Sequence, residues 1–107
     1  MAVVLVDAEN VRRSLWPNLA PEELVERCAA WAAREGHEVV VVFDGHGPPG
    51  AVSAGGSADD WIARRAAELT AAGTAFHVVT SDRTLRTRVG GAERVLGGGT
   101  FARELVS

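Results

Sequence analysis

The chain predicts an α/β fold: a three-layer α/β/α sandwich built on a mainly parallel sheet of four to five strands. Three observations carry this. Short apolar runs at Val3 to Val6, Glu38 to Phe43 and Ala75 to Val79 lack the apolar–polar alternation of a half-exposed strand, so both of their faces must be covered. Segments of helical periodicity separate those runs. The resulting order, β-α-β-α-β-α-β-α, specifies parallel strands joined by right-handed crossovers, with helices on both faces.

The first strand runs from Val3 to Val6 and ends at Asp7. Ala8 to Ala20, containing Trp16-Pro17, reads as an irregular connection. Pro21-Glu22-Glu23 starts a helix, with proline in the first turn and acids at the positive end of the dipole. Leu24, Cys28 and Trp31, with Val25, Ala29 and Ala32, supply its apolar face, and Gly36 stops it. The second strand, Glu38 to Phe43, runs into Asp44. Gly45 to Gly56, rich in Gly, Pro, Ser and Ala, reads as a loop. Ser57 caps a helix from Ala58 to Ala72, with Asp60 at the third position of a box-like pattern. Its apolar face comes from Ile62, Ala66 and Leu69, with Ala63 and Ala67, and Gly73 ends it. The third strand, Ala75 to Val79, leads through Thr80-Ser81 to Asp82, and Ser81 or Asp82 caps a short helix through Val89. Gly90-Gly91 turns the chain into a fourth strand, Glu93 to Leu96. Gly97-Gly98-Gly99 opens a last helix, Thr100 to Val106.

The chain has 107 residues, which sets one domain, residues 1–107. One cysteine, Cys28, excludes an intrachain disulfide and a cysteine-rich zinc site, and reads as a buried structural thiol. The start has no basic segment before its apolar run, and no run approaches the roughly 20 residues that span a bilayer. The sequence therefore predicts a soluble, cytoplasmic protein with no membrane partner. Net charge is −3, and all eleven basic residues are arginine. With alanine and glycine so abundant, the missing lysine fits a compositional bias, although arginine's planar fork also suits phosphate.

Parallel strands would bring Asp7, Asp44 and Asp82 to one sheet edge, where α/β folds bind ligands near the reversal of strand order. Asp59-Asp60 opens the helix after the second strand. Singly, such acids are commonly caps or turn formers; four positions at one edge, with no lysine to neutralise them, point to a cation site. Oxygen ligands alone select hard ions such as Mg²⁺ or Mn²⁺. Carboxylates around such ions suit phosphodiester hydrolysis. Asn10 then serves as a neutral donor to substrate or as a ligand carbonyl, and Thr80 and Ser81 orient a carboxylate or contact phosphate. The absent lysine also removes a GxxxxGK[ST] phosphate loop and the haloacid-dehalogenase-like and receiver layouts, which share this topology.

Six segments, in order along the chain, carry a resemblance. Val4-Leu5-Val6-Asp7-Ala8-Glu9-Asn10 resembles the opening "hΦΦDGxN" of NYN domains in the PIN-like nuclease superfamily, whose fold is Rossmann-like. Ser14-Leu15-Trp16-Pro17-Asn18-Leu19 is similar to the "WPxL" of the YacP-like branch, and Val41-Val42-Phe43-Asp44-Gly45-His46 to its "VVFDxH". Ser57-Ala58-Asp59-Asp60-Trp61-Ile62 resembles "[ST]AD[ED]xI", Val79-Thr80-Ser81-Asp82-Arg83 resembles "VTSDxxx", and Phe101-Ala102-Arg103-Glu104-Leu105 resembles "[SF]ARELL". Each motif is weak alone, but their shared register along nearly the whole chain is specific. The departures are Ala8 in place of glycine and a short Asp44-to-Asp59 segment, where the branch often carries a basic insertion.

The resemblance implies a metal-dependent endoribonuclease that leaves a 3′-hydroxyl and a 5′-phosphate. Asp7, Asp59 and Asp82 would form the Mg²⁺ or Mn²⁺ core, assisted by Asn10, Asp44 and Asp60. RNA contacts are expected from Asn10, Arg12, Arg13, His46, Ser81, Arg83 and Arg86, with a protein partner as one source of the basic surface that the short loop lacks. His46 also reads as a plain exposed loop histidine, and Arg83 and Arg86 as neutralising charges. His37 and His77 read as structural. Trp31 is assigned to the core and Trp16 to anchoring its loop, with packing preferred over base stacking; Trp61 is assigned either to packing under the glycine-rich loop or to an RNA base. The short loop also supports a second reading, a PIN-like RNA-binding adaptor without turnover; a third is a metal-dependent phosphatase of small esters.

Overall fold

The computed structural model describes residues 1–107. Its elements are β1 (Val3–Asp7), α1 (Ala8–Arg12), α2 (Pro21–Glu35), β2 (Glu38–Phe43), β3 (Val52–Ser53), α3 (Ala58–Ala71), β4 (Phe76–Val79), α4 (Arg83–Thr87), β5 (Arg94–Leu96) and α5 (Gly98–Val106). The five strands form one sheet in the order β3-β2-β1-β4-β5, and every neighbouring pair is parallel. Strand order reverses at β1, the place where such folds leave a crevice beyond the strand ends.

The two faces of the sheet have separate cores, and the alternation of side chains along each strand sorts them. Val4 and Val6 of β1, Val41 and Phe43 of β2 and Val79 of β4 pack with Val11 of α1, Leu24, Cys28 and Trp31 of α2, and Phe101, Ala102 and Leu105 of α5. Leu5, Val42, Phe76 and Val78 point the other way, against Ala58, Ile62, Ala66 and Leu69 of α3 and Leu85 of α4. Three layers result, as the fully apolar strands require.

Most local signals act as their chemistry dictates. Ser57 Oγ accepts from the Asp60 amide at 3.3 Å, Pro21 occupies the first turn of α2, and Gly36 closes that helix in the left-handed region at φ 74°. Cys28 is buried, and burial pushes its thiol up to about 12. His77 Nε2 lies 2.9 Å from Glu93 Oε1, and His37 Nδ1 accepts from the Ala2 amide, so both histidines are structural.

The structure corrects the expectation at three places. Ala8 to Ala20 is not wholly irregular: its first five residues are α1, stabilised by Glu9 pairing with Arg12 at 2.8 Å and Arg13 at 3.2 Å, the i,i+3 and i,i+4 spacings of a helix face. The loop after Asp44 contains the two-residue edge strand β3, and its neck is closed by Gly45 N–H to Gly56 O (2.9 Å) and Gly55 N–H to Gly45 O (2.8 Å). Trp16 does not pack: it is 90% exposed, whereas Trp31 is buried and donates from Nε1 to Glu104 Oε1 at 2.9 Å. Trp61 is half-buried against the core under α3.

Candidate functional site: an acidic pocket at the switch point

Beyond the carboxyl ends of β1, β2 and β4 lies a pocket of about 490 Å³ with no hydrophobic lining. Asp7, Asp44, Asp59 and Asp82 line it, with Glu9, Asn10, Arg13, Ser14 and Ser57. Asp7 ends β1, the central strand, and is buried. Asp44 follows β2 and receives the Ala58 amide at 2.7 Å, tying the strand end to the start of α3. Asp59 sits in the first turn of α3. Asp82 caps α4, its Oδ1 accepting from the Leu85 amide at 3.0 Å. Each of these acids is therefore held by backbone geometry that also serves folding.

The electrostatics record the crowding. The Asp7 carboxyl is pushed up to about 6, first by burial and then by repulsion from Asp59, Asp44 and Asp82; a hydrogen bond from Thr80 opposes the rise. That bond, Thr80 Oγ1 to Asp7 Oδ2, is 2.8 Å long, and both residues are buried. Asp59 is also raised, by burial and by repulsion from Asp82 and Asp44, with Arg88 working against the rise. Glu9 moves the other way: hydrogen bonds from Arg12 hold its carboxyl below its ordinary value. Like charges facing one another without a counter-ion favour their neutral forms. No group of three or more His, Cys, Asp or Glu side chains is drawn together closely enough to hold a metal ion as they stand. Asp44 and Asp82 each accept from a helix-start amide, of Ala58 and Leu85 respectively.

Asn10 is fixed in one orientation. Its Oδ1 accepts from the Ser81 amide at 2.9 Å, so the side-chain carbonyl is committed and the amide nitrogen is the free end. Ser81 Oγ in turn accepts from the Gly98 amide at 2.8 Å. A Cβ on Gly98 would overlap Asn10 Oδ1 and lie 3.3 Å from Ser14 Oγ; only glycine lets α5 approach this closely.

Several expected residues lie elsewhere. Asp60 does not line the pocket; its Oδ1 accepts from Arg88 Nη1 at 2.8 Å on the surface, because successive helix residues point about 100° apart. Arg12 is spent on Glu9 and on the Leu19 carbonyl. His46 is exposed and lines an adjoining pocket of about 470 Å³ with Phe43, Pro48 and Pro49, which shares only Glu9 and Asp44 with the acidic one. Ser81 holds Asn10 and Gly98 in place. Arg83 and Arg86 are exposed outside the pocket and take part in no salt bridge. The sequence reading missed Glu9, Ser14 and Ser57 in the lining and the pairing of Arg88 with Asp60. The Glu9–Arg12–Arg13 spacing was the available signal for α1, whereas the Arg88–Asp60 pairing spans 28 residues of sequence and left none.

A parallel sheet of order β3-β2-β1-β4-β5 with acids at its switch point is consistent with a PIN-like α/β fold. No protein-family model matches the chain, and no curated protein does. Among solved structures it is similar to the crystal structure of a mutant of Rae1 (YacP) from Bacillus subtilis, with 27% sequence identity and a TM-score of 0.76 over 97% of this chain and 74% of that one. The chain thus has a YacP-like fold, consistent with the NYN and PIN-like resemblance of its motifs.

Proposed function

We propose that the chain is a metal-dependent endoribonuclease acting at the acidic pocket. The observation that carries the reading is the convergence of Asp7, Asp44, Asp59 and Asp82 on one pocket at the sheet's switch point, with Arg13 as its single basic lining residue. The YacP-like fold and the motif resemblance support the choice of RNA as substrate.

The donor set suits Mg²⁺ or Mn²⁺ in its chemistry: all oxygen, several carboxylates, no thiol and no imidazole. Asp7, Asp59 and Asp82 would hold the ion, with Asp44 beside them. Such an ion supplies charge neutralisation at a phosphate and a bound water of lowered pKa. Thr80 keeps the Asp7 carboxylate in one rotamer. Asn10, its carbonyl taken by Ser81, offers N–H donors to a phosphate or ribose oxygen, and Arg13, two-thirds exposed at the rim, offers a cation to the strand.

Labelled single-stranded and structured RNA incubated with Mn²⁺, Mg²⁺ or EDTA, beside Asp7→Asn, tests the reading. Metal-dependent cleavage that the substitution abolishes is the expected result. The short segment between Asp44 and Asp59 favours a second reading, an RNA-binding adaptor without turnover. Binding without cleavage in any metal would establish that reading instead, and hydrolysis of small phosphoesters alone would make the protein a phosphatase.

A further inference from the structure

The chain leaves one indole in water. Trp16 is 90% exposed, and the other large exposed apolar side chains, Met1 and Val106, belong to the opposite end of the sheet, where β1 begins and α5 ends. Trp16 is therefore isolated at the carboxyl edge. It lies two residues beyond Ser14 and three beyond Arg13, both of which line the acidic pocket.

The segment that presents it is pinned on both sides. Ser14 Oγ donates to the Asn10 carbonyl at 2.6 Å. On the far side, the Leu19 amide donates to the Arg12 carbonyl at 3.2 Å, and Arg12 Nη1 donates to the Leu19 carbonyl at 3.3 Å. Leu19 is buried, and Leu15 packs against the same core. Trp16 thus stands on a closed, anchored loop, three residues along the chain from a pocket-lining arginine. A protein-docking patch needs several contiguous apolar side chains; beside Trp16 in the chain only Pro17 is exposed and Leu15 half-buried. A nucleobase needs only one free aromatic face and a nearby cation.

We propose that Trp16 is a stacking platform for one base of a single-stranded RNA, holding the strand as it enters the acidic pocket. This rests on the ribonuclease reading and adds a subsite to it. Stacking tolerates any base, so the subsite contributes affinity and register rather than sequence choice.

Single-turnover cleavage measured against enzyme concentration tests the subsite. Trp16→Ala should raise the half-saturating concentration by about 5- to 150-fold, the range a lost base–aromatic stack corresponds to, while the saturated rate stays near that of the wild type. Trp16→Phe should restore most of the affinity. An RNA with one abasic nucleotide at the stacked position should lose the same factor with the wild type and nothing further with Trp16→Ala, since both changes remove one interaction. Unchanged melting of Trp16→Ala excludes a folding defect, as its exposure leads one to expect. Cleavage by the wild type with an unchanged half-saturating concentration in Trp16→Ala would overturn the subsite and leave the ribonuclease standing. Unchanged RNA kinetics with loss of a bound protein would reassign Trp16 to a protein contact. A wild type that neither binds nor cleaves RNA would overturn both.

Discussion

Asp7→Asn has an effect on folding that can be worked from the structure. The folded-state carboxyl titrates at about 6 against an ordinary value of 3.8. Between those values the folded chain holds a proton that the unfolded chain has released. Stability is then full below about pH 4, falls as pH rises through the window, and is lost above about pH 6. The difference converts to at most about 3 kcal/mol. Asparagine resembles the protonated carboxyl and still offers an oxygen to Thr80 Oγ1. The variant should match the wild type at pH 4 and exceed it at pH 8, by roughly 12 °C in melting temperature at roughly 4 °C per kcal/mol for a chain of this size. Thermal unfolding of both proteins in EDTA from pH 4 to pH 8 provides the measurement, and their difference cancels every titrating group not coupled to Asp7. A wild type as stable as the variant at pH 8, or a variant that is less stable there, would refute the claim that burial and the neighbouring acids penalise the Asp7 carboxylate.

The same conflict predicts that Mn²⁺ raises the wild-type melting temperature at pH 8, with about 2.7 kcal/mol gained at a hundredfold excess over the dissociation constant; no shift at millimolar ion would count against the metal site. Asp59→Asn should abolish cleavage while Asp60→Asn retains it, because Asp60 faces Arg88 and not the pocket; equal losses would show that the helix presents both acids to substrate. Gly98→Ala should destabilise by about 1–3 kcal/mol through overpacking and should cost activity by displacing Asn10, which urea unfolding and the RNA assay together would detect. Ile62→Ala, at a fully buried position under α3, should cost about 2–5 kcal/mol in urea unfolding, whereas Arg88→Ala, breaking an exposed pair, should cost less than about 1 kcal/mol.

Local chemistry made much of this molecule legible. Val4-Leu5-Val6 and Val41-Val42-Phe43 could only be strands covered on both sides. Ser57, Pro21 and Gly36 mark helix ends through hydrogen bonds and torsions that involve near neighbours. Asp7, Asp44 and Asp82 follow strands that are parallel, so their meeting at one edge was implied once the alternation of elements was read. β3 was not legible, because two residues make a strand only when β2 offers its edge. The place of Trp16 was not legible either: an aromatic beside Leu15 and Leu19 has the composition of a core residue, and only the path of the loop decides that those two turn inward and the indole outward.

The sequence by itself determined the layers, the order of elements and the identity of the acids, because these follow from burial patterns and short-range bonds. Tertiary structure alone decided which acids share the pocket, separating Asp59 from Asp60 by the rotation of α3. It also turned Asn10 into a donor, because Ser81, 71 residues away, takes its carbonyl. The strength of the conflict at Asp7 was likewise a tertiary matter, since burial and the distances between charges exist only in the folded chain.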